Sequence, residues 1–167
     1  LFHESLTVMS NAFNLLEKQV PPPKLLAFKD SYIFRYTEKS IQQALIQKLA
    51  RYISGLGAID ILLSNGFIQE QGVISRTLDE MQEDMFFLAA AITNDSITSN
   101  HEQYLTAFYQ DTIFNQSDAT PLFKKPNLVS RKKIRSYIRR ILNEGVHDEK
   151  SANAGENIST VFSGYVH

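Results

Sequence analysis

The chain has 167 residues, 43% of them hydrophobic and 21% charged, with a formal net charge of −1, so it is about one ordinary globular domain and neither a disordered tail nor a coiled-coil rod. It has no cysteine, which excludes a disulfide scaffold, a thiol nucleophile and thiolate metal sites. Near neutrality gives no global attraction to nucleic acid or an anionic membrane, no apolar run reaches the ~18–20 residues of a span, and Glu4, Asn11 and Asn14 interrupt the first segment where a signal peptide would be apolar.

Phe2, Leu6, Met9, Phe13, Leu16 and Val20 alternate at spacings of four and three, which lines one face of a helix. Pro21-Pro22-Pro23 ends it, because proline lacks an amide donor and keeps the preceding residue out of the helical region. Residues 21–35 read as a connector whose aromatic side chains pack on the body of the protein. Ile41, Leu45, Leu49, Tyr52, Leu56, Ile59 and Leu63 then predict a helix over 41–63. Gly55 and Gly57 inside it imply either close approach of a neighbour or a hinge where a ligand reaches the backbone.

Ser64-Asn65-Gly66 is a stop signal. Ile74, Leu78, Met81, Met85, Leu88 and Ile92 define a further helix over 68–93. Two helices of matched length, each roughly 40 Å long, joined by a short loop, predict an antiparallel hairpin. Ser99 and Glu102 have capping-box spacing and open a fourth helix, which carries Tyr104, Leu105, Phe108, Tyr109, Thr112 and Ile113. Asn115 to Pro126 reads as a loop. A fifth helix starts near Ser130, uses Ile134, Ile138 and Ile141, and ends at Asn143-Glu144-Gly145. Ser151 to Gly155 is small and polar, and Ile158, Val161, Phe162 and Tyr165 form a last amphipathic stretch. No strand finds a partner, so the expectation is one all-α domain over 1–167, a bundle of five to six helices on the 41–63/68–93 hairpin. The chain stops inside a structured segment, which reads as continuing beyond His167.

Three constellations carry chemistry. Arg76, Asp79, Glu80, Glu83 and Asp84 crowd the third helix just before Met85 to Ile92, which is apolar on every side. These carboxylates therefore sit at the edge of the interior, either as an Arg76–Glu80 ion pair with a solvated acidic edge or as a polar site. No histidine follows a glutamate by three, so the Glu-x-x-His pattern of a di-iron bundle is absent, and no metal or other cofactor is expected. A paired-carboxylate glycosidase finds no support either.

Lys124, Lys125, Arg131, Lys132, Lys133, Arg135, Arg139 and Arg140 form a basic run free of acids between Asp118 and Glu144. Arg131, Arg135 and Arg139 step by four and project together. The stripe is a solvated face, a match for the acidic helix within or between chains, or a phosphate-binding site for nucleic acid or nucleotide. The closing phrase sets Ser163 and His167 four apart. It suggests a nucleophile and base, or a histidine that meets Glu80 or Asp84 across a helix interface.

Arg76-x-x-x-Glu80 after Gly72, with the late Ser163-x-x-Val166-His167 phrase, resembles bacterial all-helical domains of unknown function that are distantly related to the HEPN group. The resemblance covers residues 36 to 167. It implies a metal-independent ribonuclease or a nucleotide-binding helper, with Arg140 and His147 as the catalytic arginine and histidine. Ile141 follows Arg140 where that group carries a polar residue. Beside this stand two other expectations. The first is a cytoplasmic interaction or regulatory module that binds a copy of itself or another protein, with no membrane contact. The second is a polar ligand pocket built from Arg76, Glu80, Asp84, Tyr165 and His167.

Overall fold

The structure is a computed structural model that describes residues 2–28, 30–110 and 126–143. In chain order it contains α1 (Phe2–Glu17), β1 (Lys24–Phe28), β2 (Ser31–Arg35), α2 (Ile41–Ser64), α3 (Ile68–Thr93), α4 (Ser99–Phe108) and α5 (Arg131–Asn143). The described residues are mainly helical, with one small sheet. The expected loop 115–126 (but for Pro126), the helix end at 144–145 and everything beyond it lie outside the described residues.

The connector holds a pair of strands where the all-α reading expected none, and its aromatic side chains Tyr32 and Phe34 stand exposed instead of packing on the body. β1 and β2 pair antiparallel, with Leu25 opposite Phe34, Leu26 opposite Ile33 and Ala27 opposite Tyr32. The alternation that marks a strand is hidden by the continuous apolar run Leu25 to Phe28, and the turn lacks the Asn-Gly or Asp-Gly signal. Lys24 lies opposite Arg35, an unfavourable like-charge pair. Glu38 offsets it by taking Lys24 Nζ at 3.1 Å. The Glu38 carboxyl titrates at about 2, because Gln43 donates to it, with its own backbone, Lys24 and Thr37 adding to the effect.

Gln43 fastens this region to the spine. Ser40 caps α2, with Gln43 N–H donating to Ser40 Oγ at 3.1 Å and Ser40 N–H donating to Gln43 Oε1 at 3.2 Å. The Gln43 amide then donates to Glu38 Oε2 at 2.7 Å and to the Pro21 carbonyl at 3.3 Å. A fully buried glutamine thus has its polar atoms satisfied.

α2 ends where Gly66 adopts φ +80°. Phe67 N–H reaches the Leu62 carbonyl at 2.9 Å and Gly66 N–H the Leu63 carbonyl at 3.1 Å, the Schellman pairing. α3 packs along α2: Ala44 shares a core with Leu88, Lys48 meets Asp84, Gly55 faces Leu78, and Ile59 and Leu78 share a second core. The main core joins Ile41 and Ala44 of α2 and Phe87, Leu88 and Ala91 of α3. Tyr104 of α4 and Ile134 and Tyr137 of α5 complete it. α1 packs on α2 but fully buries none of its side chains.

The two helical glycines separate. A Cβ on Gly55 would stand 2.6 Å from Leu78 Cδ2, whereas one on Gly57 meets nothing within 4 Å among the described residues. Close approach explains Gly55; no close contact explains Gly57. Gly57→Ala is expected to raise stability by up to ~1 kcal/mol, the helix-propensity difference. Gly55→Ala is expected to lower it by about 1 kcal/mol, because overpacking against buried Leu78 exceeds the same propensity gain. Urea midpoints of the two variants check the opposite signs.

Candidate functional site

The acidic ladder of α3 and the basic run of α5 meet. Asp84 lies on the face of α3 turned to α2 and α5, and its side chain is 2% exposed. Lys48 Nζ of α2 donates to Asp84 Oδ2 at 2.8 Å. Arg131, the first residue of α5, donates from Nη1 to Oδ1 at 2.6 Å and from Nη2 to Oδ2 at 3.3 Å. This two-pronged grip suits the planar guanidinium. Arg131 Nη1 also donates to the Glu80 carbonyl at 3.0 Å and stands 3.8 Å from Glu83 Oε2. One helical turn on, Arg135 Nε donates to Glu83 Oε1 at 2.7 Å.

The electrostatics follow from this placement. Burial disfavours charge on Asp84, but hydrogen bonds from Arg131 and Lys48 and their positive charge outweigh it, so the carboxyl is held below the usual range. Burial likewise opposes charge on Arg131, and Asp84 reverses the balance, raising its pKa. Tyr104 is buried beside the pair, and its hydroxyl has no hydrogen-bond partner among the described residues. Burial first, and the Asp84 charge second, push its ionisation far up. The Lys48 ammonium lies 5.9 Å from the Tyr104 ring centre and 5.6 Å from that of Phe108. Asp79 sits one turn away on the outer edge, raised by partial burial and by Glu80.

A second polar unit adjoins it. Sequence spacing placed a capping box at Ser99 and Glu102; the cap is instead Thr98, and His101 is the reciprocating side chain. Thr98 N–H donates to His101 Nδ1 at 3.0 Å. Nε2 lies 3.2 Å from the Phe87 carbonyl, which only accepts, so Nε2 carries the proton. The ring stacks on Phe87 at 3.9 Å and meets Tyr137 edge-on at 4.8 Å. Burial lowers the His101 pKa, and its bond to Phe87 opposes this only in part.

The sign of the resulting pH dependence is fixed. Well above ~6.5 neither the folded nor the unfolded His101 is protonated. Below it the unfolded chain takes up a proton that the folded chain resists, so stability falls as pH falls. Between about pH 7.5 and about pH 5.5 the urea midpoint of the wild-type chain is expected to drop. The change stays below the ~1.4 kcal/mol per pH unit that one proton permits. His101→Gln keeps an acceptor at this helix position and is expected to be less stable but flat over that range.

Of the site residues expected from sequence, the structure brings together Glu80, Asp84, Arg131 and Arg135. Arg131 and Arg135, two of the three arginines in the expected phosphate stripe, face the acidic ladder. Arg139 lies a turn further along, exposed. Arg140 is exposed, with its guanidinium 5.4 Å from the Tyr137 ring centre. Arg76 is exposed, makes no ion pair among the described residues, and sits eight residues from Asp84, roughly 12 Å along the helix. His147, Tyr165 and His167, like Lys124, Lys125 and Ser163, lie outside the described residues. No group of three or more metal-ligating side chains occurs among the described residues.

Sequence reasoning missed Lys48, His101 and Tyr104 as members of the cluster. Lys48 had a signal: it falls in line with Ile41, Leu45 and Tyr52 on the core face of α2. A lysine at such a position calls for a buried anion. No described helix is long and apolar enough to cross a membrane. Comparison with protein-family models, with curated proteins and with solved structures finds no match to this chain.

Proposed function

We propose that the chain is a cytoplasmic interaction module that works as a homo-oligomer, its long antiparallel helical pair serving as a stiff arm with an adhesive tip. The observation that carries this reading is the surface at the α2–α3 corner. Ile61, Leu63, Phe67 and Ile68 are all at least half exposed, Ile61 at 66% and Ile68 at 70%. No charged residue occurs from Ile61 to Gln69. A rigid Schellman turn holds these side chains, so little ordering entropy opposes association. A neutral patch also meets its own copy across a two-fold axis without like-charge repulsion.

Light scattering on the purified chain at about 50 μM, a concentration that detects micromolar association, is expected to give a dimer. The Ile61→Glu/Phe67→Glu double variant is expected to be monomeric with an unchanged melting temperature, because both positions are exposed. A monomeric wild-type chain, or a double variant that still dimerises, would contradict the proposal.

Arg140 favours a second reading. It stands exposed on α5 while Arg131 and Arg135 are held by carboxylates, and it is the arginine that the HEPN-like resemblance assigns to phosphate charge in a metal-independent ribonuclease, with His147 handling the proton. That reading requires RNA cleavage that disappears on Arg140→Ala and on His147→Ala; cleavage unchanged in both removes it.

A further inference from the structure

The β-hairpin and the C-terminal end of α4 flank a half-open cavity of about 600 Å³, distinct from both the charge cluster and the helical tip. Its size falls within the range of small-molecule sites. Four aromatic side chains line it: Phe34 of β2, Tyr36 just after it, Phe108 at the end of α4 and Tyr109 just beyond. Phe108 and Tyr109 meet edge-on at 4.9 Å. The Tyr109 hydroxyl donates to the Ser40 carbonyl at 2.7 Å, which fixes that wall to the start of α2. The charged residues in the described lining are Arg35 and Lys39, with no carboxylate among them.

Lys39 is the unusual member. It has φ +53°, a left-handed conformation that side chains other than Gly, Asn and Asp seldom adopt. It forms no ion pair among the described residues, whereas Lys24 nearby is held by Glu38. A strained backbone thus keeps an uncompensated cation at an aromatic-walled cavity. Strain of this kind is maintained where the surrounding structure fixes it, and it concentrates at ligand-binding positions.

We propose that this cavity binds a compact aromatic acid, with the ring system among Phe34, Tyr36, Phe108 and Tyr109 and the carboxylate at Lys39. Rings accept edge and face contacts from another ring, and the ammonium supplies a charge-assisted hydrogen bond to the acid. The proposal does not depend on the oligomeric state or on Arg140.

Titration calorimetry on the full chain tests it with 1-naphthoate as the probe. Saturable one-to-one binding is expected near about 100 μM. The uncharged 1-naphthalenemethanol is expected to bind at least about tenfold more weakly, as is the flexible acid decanoate. Two variants separate the site from the fold. Lys39→Gly removes the cation and relieves the left-handed backbone, so affinity is expected to fall about tenfold while the melting temperature holds or rises. Phe34 is 71% exposed, so Phe34→Ala is expected to weaken naphthoate about fivefold with the fold intact. No saturable binding at millimolar naphthoate overturns the proposal. So does equal binding of the alcohol or of decanoate, or unchanged affinity in both variants.

Discussion

Phe87→Ala is expected to remove about 4 kcal/mol of stability, a large part of the total for a domain this size. Phe87 is 0% exposed. It stacks on His101 at 3.9 Å, meets Tyr137 edge-on at 5.1 Å and Tyr104 at 5.8 Å. One side chain therefore contacts α4 and α5 as well as its own helix. Its loss opens a cavity among rings that are held at their other ends by hydrogen bonds and packing and collapse poorly into it. Phe87→Leu keeps most of the volume and is expected to cost about half as much. Urea unfolding followed by far-ultraviolet circular dichroism measures both.

Asp84→Ala is the second large effect, and its origin is different. The substitution leaves Lys48, whose side chain is 20% exposed, with no anion, and Arg131, 37% exposed, without its two-pronged partner. Breaking a buried ion pair from one side costs about 3–5 kcal/mol. Solvent screens part of the Arg131 charge, so the lower figure, about 3 kcal/mol, is expected. Replacing Lys48, Asp84 and Arg131 together by Met, Leu and Met removes the desolvation penalty along with the attraction. That triple variant is expected to fall within about 1 kcal/mol of wild type. Acid acts as the single substitution does: with its folded pKa lowered, Asp84 contributes stability at neutral pH that is lost as the pH falls below about 4.

These two effects describe how α5 is held. It carries six cations and no acid, which in isolation reads as a binding surface. One face of it turns inward in the fold: Ile134 and Tyr137 fill the core, Ile138 and Ile141 pack against it, and Arg131 is drawn to Asp84. The acidic residues of α3 are the counterpart that makes this arrangement favourable: Glu83 and Asp84 take Arg131 and Arg135 across the interface.

Sequence periodicity located the helices well because each has a continuous apolar stripe; the third runs from Ile68 to Thr93 as expected. The hairpin 24–35 escaped because five-residue strands carry too few alternations to separate from an apolar loop. The charge cluster was half legible. Acidic and basic runs are visible along the chain, but their pairing is a tertiary fact, set by how α5 lies on α3. Lys48 is legible as a cation in line with Ile41, Leu45 and Tyr52, whereas burial of the single polar side chain His101 leaves no periodic trace. The cap shifted from Ser99 to Thr98 because histidine took the role usually given to glutamate.

Asp84 and Arg131 act on each other to lock α5 against the helical pair. A double-mutant cycle with Asp84→Ala, Arg131→Ala and both, measured by urea unfolding near neutral pH, tests it most directly. The coupling energy is expected to be at least about 2 kcal/mol, as for directly contacting charges with a buried partner. Additive losses, with a coupling within about 0.5 kcal/mol of zero, would show that the two residues stabilise the protein independently and that the lock does not exist.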